Sequence, residues 1–392
     1  MFFFKLKESQ ILSFIFYVLS AALAIRLSFY FNDSARYIPL RVTAFLVPVV
    51  YLIHVYFNGI TLSKKMLLVT LYSFFVFFIF IFIWTVSNLG ENSVGKVIDF
   101  IYPFCVFILI SYFCNRISEV SVIRGGQIFV LVSLVLFFIE TFIRFMHPEY
   151  AVKGDGDAYL DSLKRDSFYI FKFGSIMYLD SNYVALHALV VLSLSFFVFN
   201  GTKRILISLL LSIIIAMALS RSVYISFLLL PMLYFFKSQS LSVKFYLSVF
   251  IFPLIIFLLF YFVYGVGVED GSLDTKLGIF KVFFSKVMDA ENLTFYWGDG
   301  FDIGGFLYSF EAGKYAHAMI PLIIGELGLI GFMLYSGLLF YAYVKIGYDS
   351  LYIIVPMLVS GLSLIYPYDT MYLYSLIVLF FIKKNRNKFF IR

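Results

Sequence analysis

The chain has 392 residues, of which 62% are hydrophobic, 21% aromatic and only 14% charged. A soluble domain carries about a quarter charged residues, so this composition excludes a water-soluble enzyme, a nucleic-acid-binding domain and a disordered chain. The 52 Phe and 30 Tyr exceed what one globular core could bury, and they suit a surface that faces lipid. In a membrane protein, the net charge of +7 matters through the side of the bilayer on which it lies.

Apolar runs long enough to cross a bilayer recur along the whole chain. A bilayer core needs about 20 apolar residues per helix, and by that measure the sequence predicts about twelve spans. In chain order they lie near residues 11–31, 42–60, 66–86, 97–113, 127–146, 182–199, 204–219, 222–236, 245–265, 316–343, 351–366 and 369–382. We therefore predict an all-α, polytopic membrane protein in which residues 1–392 form a single integral membrane domain.

The distribution of Lys and Arg predicts the orientation, because loops on the cytoplasmic side of a membrane protein are enriched in both. With the N-terminus in the cytoplasm, the inner segments and the C-terminal tail hold most of the basic residues. The short outer loops then hold only Arg36, Arg41, Lys96 and Arg221. Both termini are therefore expected to be cytoplasmic.

Two long outer loops follow from this orientation, at residues 147–181 and 266–315. They hold most of the acidic residues of the chain, so any chemistry is expected on the side away from the cytoplasm. Ionisable side chains inside spans are costly and usually mark function. Those in the predicted spans lie toward the outer side, except His54 and Glu326, and this clustering describes a cavity that opens outward.

Two of these intramembrane residues, Glu140 and Arg144, are spaced i, i+4 with the acid first. That order favours an ion pair along one helix face, and we expect the two charges to neutralise each other. His187 has no obvious partner one helical turn away and is interpreted as a packed neutral imidazole. Arg26 lies near a span end, where it either reaches interfacial water or takes part in function.

Arg221 stands between Ser220 and Ser222 in a run that is otherwise mostly apolar. A tight outer turn would hold its guanidinium close to the membrane surface, in a position suited to bidentate phosphate binding. Ordinary snorkelling at a helix end is the alternative. Arg165, in the first long loop, could meet an anionic ligand or simply be solvated.

His317 stands where the second long loop enters a span. Gly328 follows after ten intervening residues, about three helical turns, so on a regular helix it lies beneath His317. Gly325, Gly328 and Gly331 form a small-residue strip that permits close helix approach. Pro321 weakens the first turn, and we expect a kink there. His317 at the outer rim could act as a general base toward a hydroxyl, or it could anchor a helix end as a neutral imidazole.

Three local signatures, with the span pattern and the long loop before a late span, resemble the O-antigen polymerase family (Wzy type) and the related O-antigen ligase family. They are Asp-Ser-Asn at 180–182, Ser-Arg-Ser at 220–222, and Gly-Asp-Gly at 298–300 followed by His317 and Gly328. The last is similar to the family's His-X10-Gly pattern. The signatures occur in this order, all on the predicted outer side.

The chain departs from the family in the first long loop, where an arginine-to-glycine pattern is expected. The first glycine after Arg165 is Gly174, at a different spacing. The part of the pattern that would assign a role to Arg165 is therefore absent.

The resemblance implies a metal-independent glycosyltransferase of lipopolysaccharide biosynthesis, a multi-pass protein of the bacterial inner membrane whose two long loops are periplasmic. It would polymerise undecaprenyl-diphosphate-linked oligosaccharide repeat units into O-antigen, or a related surface polysaccharide, at the periplasmic face. Its partners would be the lipid-linked donor and acceptor, membrane lipids and a chain-length regulator protein, with no nucleic acid and no cofactor.

The resemblance and the sequence together give a set of candidate residues. His317 is the catalytic candidate, and Gly325 and Gly328 support helix packing. No metal ligand is expected. The candidates for binding the diphosphate and the rest of the substrate are Arg221, Arg165, Arg41, Asn182 and Tyr315.

Two alternatives remain at this point. An O-antigen ligase, which transfers the glycan to lipid A-core, shares nearly every feature. A flippase or other transporter of lipid-linked oligosaccharide is the second alternative. Transporters show internal repeats, broken helices and charges at the membrane midplane, whereas this sequence has outward-clustered polarity and one asymmetric loop.

Overall fold

The computed structural model is helical, and no strand occurs in the part of the chain that it describes. The described residues are 7–27, 38–58, 103, 106, 109–110, 112–114, 116–147, 171, 176–178, 180–246, 249, 271–288, 294–301, 303–310, 315–363 and 367–389. The prediction of an all-α protein is confirmed for these residues. The predicted span 66–86, and most of 97–113 and 245–265, lie outside them, as does Arg165.

The helices are longer than the predicted spans in some places and shorter in others. They are α1 (Glu8–Ala24), α2 (Ile38–Asn58), α3 (Glu119–Met146), α4 (Ser181–Val198), α5 (Gly201–Met217), α6 (Arg221–Ser238), α7 (Leu241–Tyr246), α8 (Gly271–Met288), α9 (Thr294–Trp297), α10 (Ile303–Leu307), α11 (Met319–Ile346), α12 (Leu351–Gly361) and α13 (Thr370–Phe389). A 3₁₀ turn, Gly347–Ser350, joins α11 to α12.

Long apolar helices give the protein its transmembrane character. Among the described residues, three helical stretches are long and apolar enough to cross a membrane: Glu119–Met146, Ser181–Val198 and Met319–Gly361. Large apolar side chains are exposed on the outward faces of the bundle, as at Phe340, and a lipid surround suits them. The total of about twelve spans stays a prediction.

Helix α4 occupies the centre of the bundle. It contacts α3, α5, α6, α12 and α13, and nearly all of its residues are buried. Its sequence is apolar all round, as expected of a helix with neighbours on every side. The buried hydroxyls of Ser193 and Ser195 bond to carbonyl oxygens of the preceding turn, at 2.9 and 2.7 Å. This central position places the start of α4, at Asp180, in the middle of one end of the bundle.

That end, the His317 end, consists of residues 25–27, 180–182, 218–221, 315–318 and 367–369. Arg26 forms an ion pair there with Asp369, and it also donates to the Thr370 hydroxyl at 2.8 Å. Arg26, expected either to reach interfacial water or to take part in function, is 27% exposed and also has an acid partner from the far end of the sequence.

The opposite end of the bundle, the Lys383 end, joins the other helix termini. Arg116 pairs with Glu8 at 2.8 Å, and Lys237 pairs with Asp349 at 2.6 Å. Basic residues predicted to be cytoplasmic, among those whose side chains the structure describes, lie at or near this end: Lys7, Arg116, Arg124, Lys203, Arg204, Lys237, Lys345, Lys383 and Lys384. The basic residues predicted to share one side of the membrane therefore share one end of the bundle. Which end faces the cytoplasm stays a prediction.

A fully buried ion pair connects three segments near the His317 end. Arg144 Nε lies 3.4 Å from Glu140 Oε1, and both side chains are 0% exposed. Arg144 also donates to the carbonyl oxygens of Phe171 (2.5 Å) and Met217 (3.0 Å). Glu140 Oε2 accepts from the backbone N–H of Ile176 at 2.7 Å. The pair predicted from the i, i+4 spacing is present, and its further hydrogen bonds tie α3 to the segment before α4 and to the end of α5.

Replacing Arg144 with Met should destabilise the protein strongly, because the Glu140 carboxylate would remain buried without its cation. Breaking one partner of a buried pair costs about 3–5 kcal/mol. The control is Lys237→Met, whose pair with Asp349 is partly exposed and contributes under about 1 kcal/mol. The difference is measured by heating the detergent-purified proteins and monitoring the loss of monodisperse elution on size exclusion. Equal melting temperatures for the two variants would contradict the structural role of Arg144.

Candidate functional site

The first element of the site is the cap of α4. Asp180 Oδ1 accepts a hydrogen bond from the backbone N–H of Asn182 at 2.8 Å, which is the usual role of an N-cap carboxylate. Asp180 Oδ2 accepts a second bond, also 2.8 Å, from the Asn182 side-chain amide. Asn182 is half-buried, and its side-chain amide has a second N–H besides the one that it donates to Asp180.

The second element is the turn between α5 and α6, which carries Arg221. The turn is tight, and Leu219 adopts φ 55°, a left-handed conformation that non-glycine residues rarely adopt. Two side chains hold the backbone just before it. Ser181 Oγ donates to the Ala218 carbonyl at 2.9 Å, and Arg144 donates to the Met217 carbonyl. Arg221 begins α6 with an exposed side chain, and its position follows from the cap of α4 and from the buried ion pair.

The third element is the stretch before α11. Ala316 and Ala318 are fully buried against Ile279 of α8, and Ala318 is extended with ψ 135°. Because side chains alternate in an extended chain, His317 points outward between the two alanines and is exposed. The helix begins at Met319, so His317 precedes α11 rather than lying within its first turn.

The electrostatic surroundings of His317 are mixed. The residue is exposed, but the protein atoms around the ring desolvate it and lower its pKa from 6.5. The negative charge of Asp180 opposes this shift, and the positive charge of Lys276 adds to it. His317 is therefore neutral at pH 7, the form in which imidazole accepts a proton.

Asp180 connects these elements, since its carboxylate interacts electrostatically with both Arg144 and His317. Ser181 of the first signature bonds to the Ala218 carbonyl, two residues before the second signature, and the charge of Asp180 acts on His317. Segments far apart in the sequence therefore form one polar cluster at the His317 end.

The Gly-Asp-Gly signature lies against an interruption of α11. Gly328 has φ 68° and ψ −178°, a conformation essentially restricted to glycine, and the helix breaks there. In an unbroken helix, the carbonyls of Gly325 and Glu326 would accept bonds from N–H groups beyond Gly328. Here the N–H of Asp299 bonds to Gly325 O at 2.8 Å, and the N–H of Gly300 bonds to Glu326 O at 3.1 Å. The loop replaces the helix's own donors.

Glycines make this close approach possible. A Cβ atom at Gly298 would fall 2.6 Å from Gly328 N, and one at Gly328 would fall 2.2 Å from Tyr296 O. Gly304 and Gly325 are in similar contact, with a Cβ on either lying 2.1 Å from the other's carbonyl oxygen. Gly325 and Gly328 thus pack against the segment α9–α10.

Two expectations about α11 are wrong. Gly328 does not continue a regular helix beneath His317, because the backbone turns out of the helix at Gly328 itself. The kink expected near Pro321 is absent, since Pro321 lies in the first turn, where its missing N–H removes no helical bond. A Cβ at Gly331 would meet Leu327 of the same helix, so this residue does not contribute to the contact with α9–α10.

The remaining candidates lie in different surroundings. Tyr315 is half-buried and donates its hydroxyl to Glu326. Arg41 is exposed in the first turn of α2. Asp299 is half-buried; desolvation raises the pKa of its carboxyl, and Lys286 opposes the rise. Among the described side chains, no three His, Cys, Asp or Glu residues are grouped as a metal site would require.

The structure also brings in one residue that the sequence did not single out, Lys276, and one partner that it did not identify, that of Glu326. Lys276 of α8 influences His317, and the only available signal was its place in the second long loop. Glu326 stood out as an ionisable residue in a span, but its partner Tyr315 could not be identified while α11 was treated as one regular helix.

No protein-family model matches the chain, and no curated protein sequence matches it.

Substitution of Gly328 by Ala should disrupt the contact between the Gly-Asp-Gly loop and α11. The backbone conformation costs a non-glycine residue about 1–3 kcal/mol, and the added methyl group would collide with Tyr296 O. Gly337→Ala is the matched control on the same helix, because a Cβ there meets nothing within 4 Å. Melting temperature and protease cleavage within residues 294–301 report the change. If both variants behave like the parent protein, the contact between the Gly-Asp-Gly loop and α11 does not stabilise this region.

Proposed function

We propose that this protein polymerises undecaprenyl-diphosphate-linked oligosaccharide repeat units into O-antigen or a related surface polysaccharide, at the periplasmic face of the bacterial inner membrane. The observation that carries the proposal is the clustering of Asp180, the Arg221 turn and His317 at one end of the bundle. This cluster joins a cation suited to a diphosphate with a neutral imidazole suited to accept a proton.

The proposed reaction is a glycosyl transfer. The oxygen of an acceptor sugar hydroxyl attacks the anomeric carbon of the donor glycan, and the bond from that carbon to the diphosphate oxygen breaks. His317 takes the hydroxyl proton as general base. Undecaprenyl diphosphate leaves with the bonding electrons, and the growing chain is now attached to the lipid of the new unit.

Arg221 would bind the diphosphate of the donor. A guanidinium matches two phosphate oxygens at once, and a fixed cation stabilises the negative charge that develops on the leaving group. Because Ser181 and Arg144 hold the backbone before Arg221, its guanidinium is anchored on a rigid turn. Arg41, Arg165 and Asn182 remain proposed substrate contacts, and Tyr315 would contribute its ring, since its hydroxyl is bonded to Glu326.

The proposal places the His317 end in the periplasm and both termini in the cytoplasm. The concentration of Lys and Arg at the Lys383 end supports this orientation, because cytoplasmic loops carry the positive excess. Cysteine labelling with an impermeant reagent at exposed Tyr296 tests it. Labelling from the cytoplasmic side only would overturn the proposed function.

His317→Ala and Arg221→Ala should each leave the protein inserted in the membrane while abolishing long polysaccharide. The first removes the base and the second removes the cation on the leaving group. Arg204→Ala is the control, an exposed arginine at the Lys383 end. Gel analysis of surface polysaccharide in complemented deletion cells is the measurement. Normal long chains with either site variant would show that the assigned roles are wrong.

Deletion of the gene separates the polymerase from the alternatives. Loss of polymerisation leaves a single repeat on the lipid A-core. A ligase would instead leave lipid-linked long chains with none on the core, and loss of a flippase would leave no repeats on the periplasmic side. The last two patterns contradict the proposal.

The pH dependence of polymerisation should follow the ionisation of His317. A general base works in its neutral form, so activity is lost as pH falls through the lowered pKa of His317. Lys276→Gln removes a positive charge that lowers this pKa. It should therefore move the acid limb of the pH–rate profile, where activity falls, to higher pH. Asp180→Asn removes a charge that raises it and should move the limb to lower pH, while asparagine still caps α4.

Rates measured with purified protein and lipid-linked repeat units, from acidic to neutral pH, test these shifts. Lys281→Gln is the matched control, an exposed lysine on the same helix as Lys276. Its acid limb should coincide with that of the parent protein. Shifts of Lys276→Gln and Asp180→Asn in the same direction would exclude His317 as the titrating base.

A further inference from the structure

Glu326 is a buried carboxyl group beside the break in α11. It is 2% exposed and lies two residues before Gly328. An ionisable group inside a membrane protein is costly unless it is hydrogen-bonded. Its Oε1 accepts a hydrogen bond from the Tyr315 hydroxyl. A phenol from the stretch before α11 therefore reaches a carboxylate within the helix.

Tyr315 is held by contacts to its ring, to its hydroxyl and to the backbone that follows it. Its ring lies on the bare backbone of Gly305, where a Cβ would fall 2.0 Å from the ring, and it packs edge-on against Phe306 with centroids 5.2 Å apart. The N–H of Ala316 bonds to Gly305 O at 2.7 Å. The hydroxyl, at the same edge of the ring that lies on Gly305, reaches Glu326, so Tyr315 bridges α10 and α11.

The same ring also touches His317. The centroids of Tyr315 and His317 are 6.1 Å apart, and the planes are inclined by 50°. His317 itself is exposed, and its two neighbours are small alanines. Tyr315 is therefore the large, anchored side chain beside the imidazole.

We propose that Glu326 is a positioning residue for His317: its carboxylate fixes the Tyr315 hydroxyl, and the Tyr315 ring then fixes the orientation of the imidazole. This inference rests on the proposed function insofar as it takes His317 to be the base. The break at Gly328 contributes to this arrangement, because the loop that fills the break leads into α10, which carries the Gly305 on which the Tyr315 ring lies.

Three substitutions separate positioning from proton transfer. Glu326→Gln keeps an oxygen that can accept the Tyr315 hydroxyl bond but removes the charge. Glu326→Leu removes the acceptor, and Tyr315→Phe removes the donor while keeping the ring. Tyr308→Phe is the matched control, because it deletes a hydroxyl from the same connecting segment and leaves the Tyr315–Glu326 bond intact.

Polymerisation rates of the purified variants give the first readout. We expect Glu326→Leu and Tyr315→Phe to lower kcat by about 10- to 100-fold with KM little changed, since a misplaced catalytic group loses rate rather than binding. Glu326→Gln should keep most of the parent kcat. A Glu326→Gln protein as inactive as Glu326→Leu would overturn the positioning role, as would full activity of Tyr315→Phe.

A second readout does not depend on the reaction. The His317→Cys substitution, in a chain whose Cys105 and Cys114 are replaced by Ser, allows the labelling rate at position 317 to be measured with an impermeant maleimide. Adding Tyr315→Phe or Glu326→Leu should change this rate several-fold, whereas adding Glu326→Gln or Tyr308→Phe should not. Unchanged rates in all backgrounds would overturn the proposal.

The two readouts keep the inference distinct from the proposed function. If the labelling rate at position 317 changes as expected but His317→Ala cells make normal polysaccharide, the proposed function is refuted. The positioning of residue 317 by Tyr315 and Glu326 then still stands. The opposite pattern would refute the positioning role alone. Where Glu326→Leu fails to accumulate in the membrane, Tyr315→Phe decides, because it removes one oxygen atom and retains the buried ring.

Discussion

A polypeptide inside a bilayer must satisfy its backbone hydrogen bonds within the protein, because lipid offers neither donors nor acceptors. Helix α11 breaks at Gly328, and the carbonyls of Gly325 and Glu326 then require donors from elsewhere. The N–H groups of Asp299 and Gly300 supply them. This exchange fixes the segment α9–α10 on α11, and with it Gly305, Tyr315 and the stretch that carries His317. The geometry of the candidate site thus depends on two backbone hydrogen bonds that join the loop before α10 to the broken helix α11.

Local patterns predicted the parts of the molecule that local geometry determines. The i, i+4 spacing of Glu140 and Arg144 identified an ion pair that the structure contains, and the apolar runs identified an all-α membrane protein. The break in α11 was not predicted, because Gly325, Gly328 and Gly331 also fit a helix-packing strip. Spacing alone does not show whether a glycine serves a close contact or a left-handed backbone.

Contacts between distant segments could not be read from the sequence at all. Arg26 and Asp369 are 343 residues apart, and nothing in either neighbourhood indicates the other. Glu326 and Tyr315 are close in sequence, yet their contact depends on where α11 begins and on how Tyr315 lies against Gly305. The order of the signatures along the chain predicted the members of the polar cluster, whereas the Ser181 and Arg144 hydrogen bonds that fix the Arg221 turn required the fold.

The buried Arg144 has a consequence for biosynthesis. Its acceptors are Glu140, which precedes it in the same helix, and the carbonyls of Phe171 and Met217, which are translated later. While α3 leaves the ribosome, the guanidinium has only the carboxylate one turn away. Its full set of partners exists only after α5 has been synthesised and has folded back. A chain arrested before residue 217 would therefore hold an incompletely bonded cation inside the bundle, at a cost that only the completed fold removes.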